Sequence, residues 1–141
     1  MNPIRLVAAL FVILAALPAL AGELSITNAW SRSTPPGVTV GVAYFTLKNH
    51  TSKSDRLLKM TTPVASKVQV HRTEILDGIA RMREVAVLHV DAGQTLEFAP
   101  NGMHLMLMGL KQPLVEGTTF EIELLFEVAG PRNVKVAVRK D

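Results

Sequence analysis

Four histidines and six methionines supply the soft and borderline metal donors of this 141-residue chain, which contains no cysteine. They are unevenly spread. His71, Met82, Met103, His104, Met106 and Met108 fall in two short segments, one around Asp77-Gly78 and one in Met103-His104-Leu105-Met106-Leu107-Met108-Gly109. In a β-strand, side chains alternate with period 2, so His104, Met106 and Met108 share one face while Met103, Leu105 and Leu107 share the other. Asp77-Gly78 between apolar flanks signals a two-residue hairpin turn. Closing the hairpin there pairs Leu76 with Ile79, Ile75 with Ala80, Glu74 with Arg81, Thr73 with Met82 and His71 with Glu84. His71 and Met82 then become diagonal neighbours on one face, about 7–8 Å apart at the backbone, close enough for one ion to bridge their side chains. Glu74 and Arg81 face each other on the opposite side, where an ion pair adds little net energy.

Two imidazoles and two thioethers form a neutral N2S2 set. Thioether sulfur is polarisable and favours Cu(I), whereas zinc takes thiolate, imidazole or carboxylate, and calcium or magnesium takes oxygen. The missing thiol excludes disulfide frameworks, zinc fingers, iron–sulfur clusters, thiol catalysis, lipoprotein anchoring at cysteine and blue-copper electron transfer. Thioethers remain competent ligands outside the cytoplasm, where paired thiols oxidise.

The elements that must hold these residues read as strands. Short apolar or alternating runs recur at Leu24 to Ser31, Val40 to Lys48, Arg56 to Met60, Lys67 to Ile75, Ile79 to Val87, Thr95 to Phe98, Met103 to Gly109, Thr119 to Val128 and Asn133 to Arg139. Turn signals such as Asp91-Ala92-Gly93 and Pro100-Asn101-Gly102 separate them. Seven to nine such strands predict an all-β domain, a two-sheet sandwich or Greek-key barrel. Its core is aliphatic, with Trp30, Tyr44, Phe45, Phe98, Phe120 and Phe126 as the large rings. Ahead of it, Arg5, the apolar run Leu6 to Leu17 and the ending Ala19-Leu20-Ala21 have the three parts of a secretory signal peptide. The apolar run is shorter than the roughly 20 residues of a membrane span. The division expected is a leader at 1–21 and one domain at 22–141, exported and without stable membrane insertion after cleavage. Removing Arg5 takes the net charge from +3 to +2. The remaining basic residues form no stripe, so a nucleic-acid partner is unsupported.

With these residues in place, the chain resembles the periplasmic copper chaperones called PCu(A)C. Their signature is His, ten residues, Met, twenty-one residues, His, one residue, Met, and His71, Met82, His104 and Met106 satisfy it. Ala29-Trp30-Ser31-Arg32, Thr34-Pro35-Pro36-Gly37, Met82-Arg83 and the run from His104 to Leu110 match as well. The resemblance covers essentially residues 22 to 141. It implies a cupredoxin-like Greek-key β-sandwich that binds one Cu(I) through those four side chains in the periplasm. It also implies delivery to the copper-bearing subunit of cytochrome c oxidase, alongside a Sco-type thiol copper protein. Relatives often carry extra methionines where Arg72, Ile75 and Ala80 stand, and commonly a proline at Glu84. Some have a His- and Met-rich tail, whereas this chain ends Val138-Arg139-Lys140-Asp141.

The other donors read more plainly. Met103 packs inside, Met108 is a core residue or a neighbour of the site, and Met60 packs within a strand. His50 sits in a loop, His89 at the surface, and Glu84, opposite His71, is a solvated carboxylate or, as the alternative, an acceptor that orients that imidazole. No nucleophile elbow, phosphate loop or HExxH helix supports an enzyme. The competing function is a copper-sequestering or resistance protein that binds the same ion without dedicated delivery. An adhesive β-sandwich with no metal is the weaker third reading.

Overall fold

A computed structural model describes residues 22–140; the expected leader lies outside them. Among the described residues all ten regular elements are strands: β1 (Leu24–Arg32), β2 (Val40–Asn49), β3 (Asp55–Thr61), β4 (Ala65–Leu76), β5 (Ile79–Glu84), β6 (Leu88–Val90), β7 (Thr95–Glu97), β8 (Met103–Leu110), β9 (Thr119–Phe126) and β10 (Gly130–Arg139). Nine lie on one hydrogen-bonded path, β5-β4-β8-β2-β1-β10-β9-β3-β6, and β7 pairs with β2. The chain crosses repeatedly between the two halves of this path, and among the described residues β1–β2, β4–β5 and β9–β10 join sequence neighbours that also pair along it. Among the described residues no helix is long and apolar enough to cross a membrane.

Alternation builds the interior. Val68 and Val70 of β4, Leu105 and Leu107 of β8, Ala43, Phe45 and Leu47 of β2, and Val134, Val136 and Val138 of β10 join Ile122, Leu124 and Phe126 of β9 in one core cluster. Met103 packs there too, as its place on the strand requires. Phe45 and Phe98 stack with centroids 4.3 Å apart inside it. Tyr44 is buried as expected but lies outside the main cluster, and Trp30 is only half-buried. Their tilted rings lie 4.7 Å apart outside the main cluster, with the Arg139 guanidinium 5.4 Å from the indole centroid. The reason is again period 2: Ala43 and Phe45 point to the core, so Tyr44 must face the other way.

The hairpin that carries His71 and Met82 forms in the expected register, with Leu76↔Ile79, Thr73↔Met82 and His71↔Glu84 among its pairs. Asp77 and Gly78 both have positive φ, 53° and 75°, as a type I′ turn requires. One side-chain contact differs. Glu74 pairs diagonally with Arg83 at 3.2 Å and not with Arg81, because Arg83 faces Arg72 and reaches across the pleat. Replacing Gly78 by valine should destabilise the protein by about 1–2 kcal/mol, since a side chain with a left-handed backbone is strained even in open space. Urea melts should report that loss, and faster amide exchange in β5 should locate it.

A candidate metal centre on the outer sheet face

The outer face of the β5-β4-β8-β2 half carries His71, Met82, His104 and Met106. His71 and His104 are direct cross-strand partners on β4 and β8, with ring centroids 5.9 Å apart and planes tilted by 45°. That pairing joins residues far apart in sequence and rests on the antiparallel β4–β8 ladder, which β2 extends on its other side. Met106 lies two residues beyond His104 on the same face, level with Gln69 of β4 and Val42 of β2. Met82 projects from β5 opposite Thr73, diagonal to His71. It lines a cleft of about 320 Å³ together with His104, Tyr44, Arg32, Thr73 and Asn101. Exposure grades across the set: His104 is 4% exposed, whereas Met82 is 60% exposed.

Hydrogen bonds fix what each imidazole can offer. His104 Nδ1 donates to the Gly102 carbonyl at 3.1 Å, which leaves the lone pair on Nε2. His71 Nε2 lies 3.2 Å from Gln69 Oε1. Among the described residues, His71 Nδ1 and His104 Nε2 are the two buried side-chain nitrogen or oxygen atoms with no hydrogen-bond partner. An orphaned buried polar atom costs about 1–3 kcal/mol, so two of them on facing strands need a reason. A metal ion accepting both lone pairs supplies one. No cluster of three or more His, Asp or Glu forms among the described residues, and the further soft donors on this face are the thioethers of Met82 and Met106. Such a neutral, partly sulfur donor set suits Cu(I).

Burial holds the pKa of His71 below its ordinary 6.5, and the neighbouring His104 lowers it further against an opposing pull from Glu84. The unfolded chain therefore takes up that proton first. Stability of the apo protein should be intact above about pH 6.5 and fall as the pH drops toward the lowered value. Thermal melts between pH 7.5 and 5 should show this decline, and a His71→Gln variant should show less of it.

Comparison with known proteins bears on the fold and the family. Residues 24–138 match the family described as "Putative lipoprotein LpqE-like". The chain belongs to this family, the PCuAC family. A relative in Leifsonia xyli subsp. xyli, described as a putative lipoprotein, is 33% identical over 120 residues, 84% of this chain and 71% of its own. The solution structure of the Cu(I) form of DR1885 from Deinococcus radiodurans shares 33% identity and superposes with a TM-score of 0.65, covering 91% of this chain and 83% of that one. A copper-bound PCuAC domain from PmoF2 has the same fold at 23% identity, with a TM-score of 0.72 and coverage of 86% and 96%. The cupredoxin-like architecture expected for a PCuAC chain is thus present. The Leifsonia relative and the family carry the word lipoprotein in their descriptions, and these 141 residues hold no cysteine.

For this PCuAC chain the remaining donors separate clearly. His50 and His89 are exposed and far along the chain from the pair: His50 bonds Ser25 at 2.9 Å, and His89 lies beside Arg56 in the β3–β6 ladder. Met60 packs against the core from β3. Met108 is half-buried between Val40 and Lys67. Sequence reasoning did not single out Gln69, which touches His71, nor Trp30 and Tyr44 as part of this face. The signal for Gln69 was present: it stands two residues before His71 and so shares its side of the strand.

Proposed function

We propose that this chain is a periplasmic copper chaperone, a binding protein and not an enzyme, that carries one Cu(I) on His71, Met82, His104 and Met106. The observation that carries the reading is the pair of orphaned ring nitrogens on facing strands, with two thioethers on the same face. The copper-bound relatives support the choice of metal. The graded exposure supports transfer. Met82 stands on the outermost strand of its half, so an acceptor meets this ligand first, displaces it, and can then compete for the ion at the imidazoles. A thioether is neutral and leaves more readily than a thiolate, which suits stepwise exchange. The acceptor proposed is the copper-bearing subunit of cytochrome c oxidase, with a Sco-type thiol protein acting alongside.

Titration of the purified protein with Cu(I) against a colorimetric chelator should give one equivalent, and the His104→Ala/Met106→Ala double variant should lose it. Stoichiometry well below one, or unchanged binding in the double variant, would remove the copper claim. Delivery has a separate test. Copper-loaded protein mixed with the apo soluble domain of the oxidase subunit, with and without the Sco-type partner, should transfer its ion. Retention under all of those conditions would identify a sequestering protein instead.

A further inference from the structure

We propose that Glu84 selects which nitrogen of His71 is offered to the metal, acting through the side-chain amide of Gln69. The inference rests on the copper reading for the ligand role of His71, but the tautomer it concerns belongs to the apo chain. Gln69 Nε2 donates to Glu84 Oε1 at 2.9 Å. An ionised carboxylate only accepts hydrogen bonds, so this contact turns the amide nitrogen toward Glu84 and the amide oxygen toward His71. That oxygen, 3.2 Å from His71 Nε2, also only accepts. The ring must then carry its proton on Nε2, and its lone pair sits on the buried, unpartnered Nδ1.

The opposite orientation of the amide occupies the same space and has the opposite effect. It would present an N–H to Nε2, move the ring proton to Nδ1 and close that nitrogen to a metal. Nothing in the shape of Gln69 chooses between the two. The carboxylate across the hairpin does, because β5 sets Glu84 opposite His71. His104 has no such switch, since a backbone carbonyl fixes its tautomer and cannot turn round. Gln69 and Glu84 are thus positioning residues: they touch no metal, and they determine whether a ligand atom exists.

The test is nitrogen NMR of the labelled apo protein near pH 8, above the ordinary histidine pKa of about 6.5, paired with Cu(I) competition. In the wild type, two-bond proton–nitrogen correlations should show His71 protonated on Nε2. In Glu84→Ala the proton should shift toward Nδ1 and Cu(I) affinity should fall about tenfold. Gln69→Glu combined with Glu84→Ala should restore both, because a carboxylate at position 69 accepts from Nε2 in either orientation. An unchanged tautomer in Glu84→Ala, or no restoration in the double variant, would overturn the assignment. Failure of the copper reading would look different: wild-type protein would bind no Cu(I) while the tautomer shift persisted, which would leave the assignment standing.

Discussion

Replacing His71 by leucine should abolish tight Cu(I) binding and make the apo protein more stable. The binding loss follows from removing one of the two imidazole donors. Outer partners of metal ligands cost 10–100-fold when mutated, so a ligand itself should cost on the order of 100-fold or more, equivalent to about 2.8 kcal/mol. The stability gain follows from the orphaned Nδ1, a buried acceptor with no partner in the apo chain. Leucine removes that desolvation penalty, and Gln69 keeps its bond to Glu84. The net gain should be about 1 kcal/mol. His104→Leu should gain less, because it strips a backbone carbonyl, Gly102, of its donor, whereas the acceptor that His71 leaves behind is the amide oxygen of the half-exposed Gln69, which water can reach. Urea melts of metal-free protein would measure the stability, and competition titration the affinity. Loaded with free Cu(I) at 1,000 times its Kd, the wild type should rise by about 4.1 kcal/mol, and the variant should not. Lower apo stability would mean that His71 serves the scaffold, and undiminished affinity would exclude it as a ligand.

How far the sequence went toward this site depended on the range of the signal. Asp77-Gly78 is a local instruction, and it delivered the register of β4 against β5 pair by pair. Alternation within Met103 to Met108 is equally local, and it separated the buried Met103, Leu105 and Leu107 from His104 and Met106. Strand adjacency is not local. Nothing in either segment states that β4 lies beside β8, so the His71↔His104 pair could be reached from the sequence only through the family spacing. Two smaller departures have similar causes. β6 spans three residues, Leu88–Val90, too short for alternation to mark it as a strand, and the expected strand through Val87 ends at Glu84. Trp30 and Tyr44 are large rings that composition assigns to the interior. Tyr44 is buried away from the main cluster, where it lines the cleft beside His104, and Trp30 packs on Tyr44.

The same face predicts how metal preference should respond to its sulfur atoms. Met82→His combined with Met106→His keeps the set neutral and changes its softness alone. Four imidazoles favour Cu(II) and zinc, and the thioethers that favour Cu(I) are gone. The ratio of Cu(I) to zinc affinity should therefore drop by at least about tenfold, or about 1.4 kcal/mol. Cu(II) added to the variant should give a tetragonal nitrogen-rich electron paramagnetic resonance signal. Competition with separate chelators for Cu(I) and zinc would measure the first change, and spectroscopy the second. The two substitutions should also act unequally on transfer. Met82 is exposed on the edge strand, whereas Met106 sits half-buried between β2 and β4. Met82→His alone should slow release to an acceptor more than it changes equilibrium affinity for Cu(I), because it alters the ligand that leaves first. Equal release rates in the parent and in Met82→His would show that exchange begins elsewhere on the site.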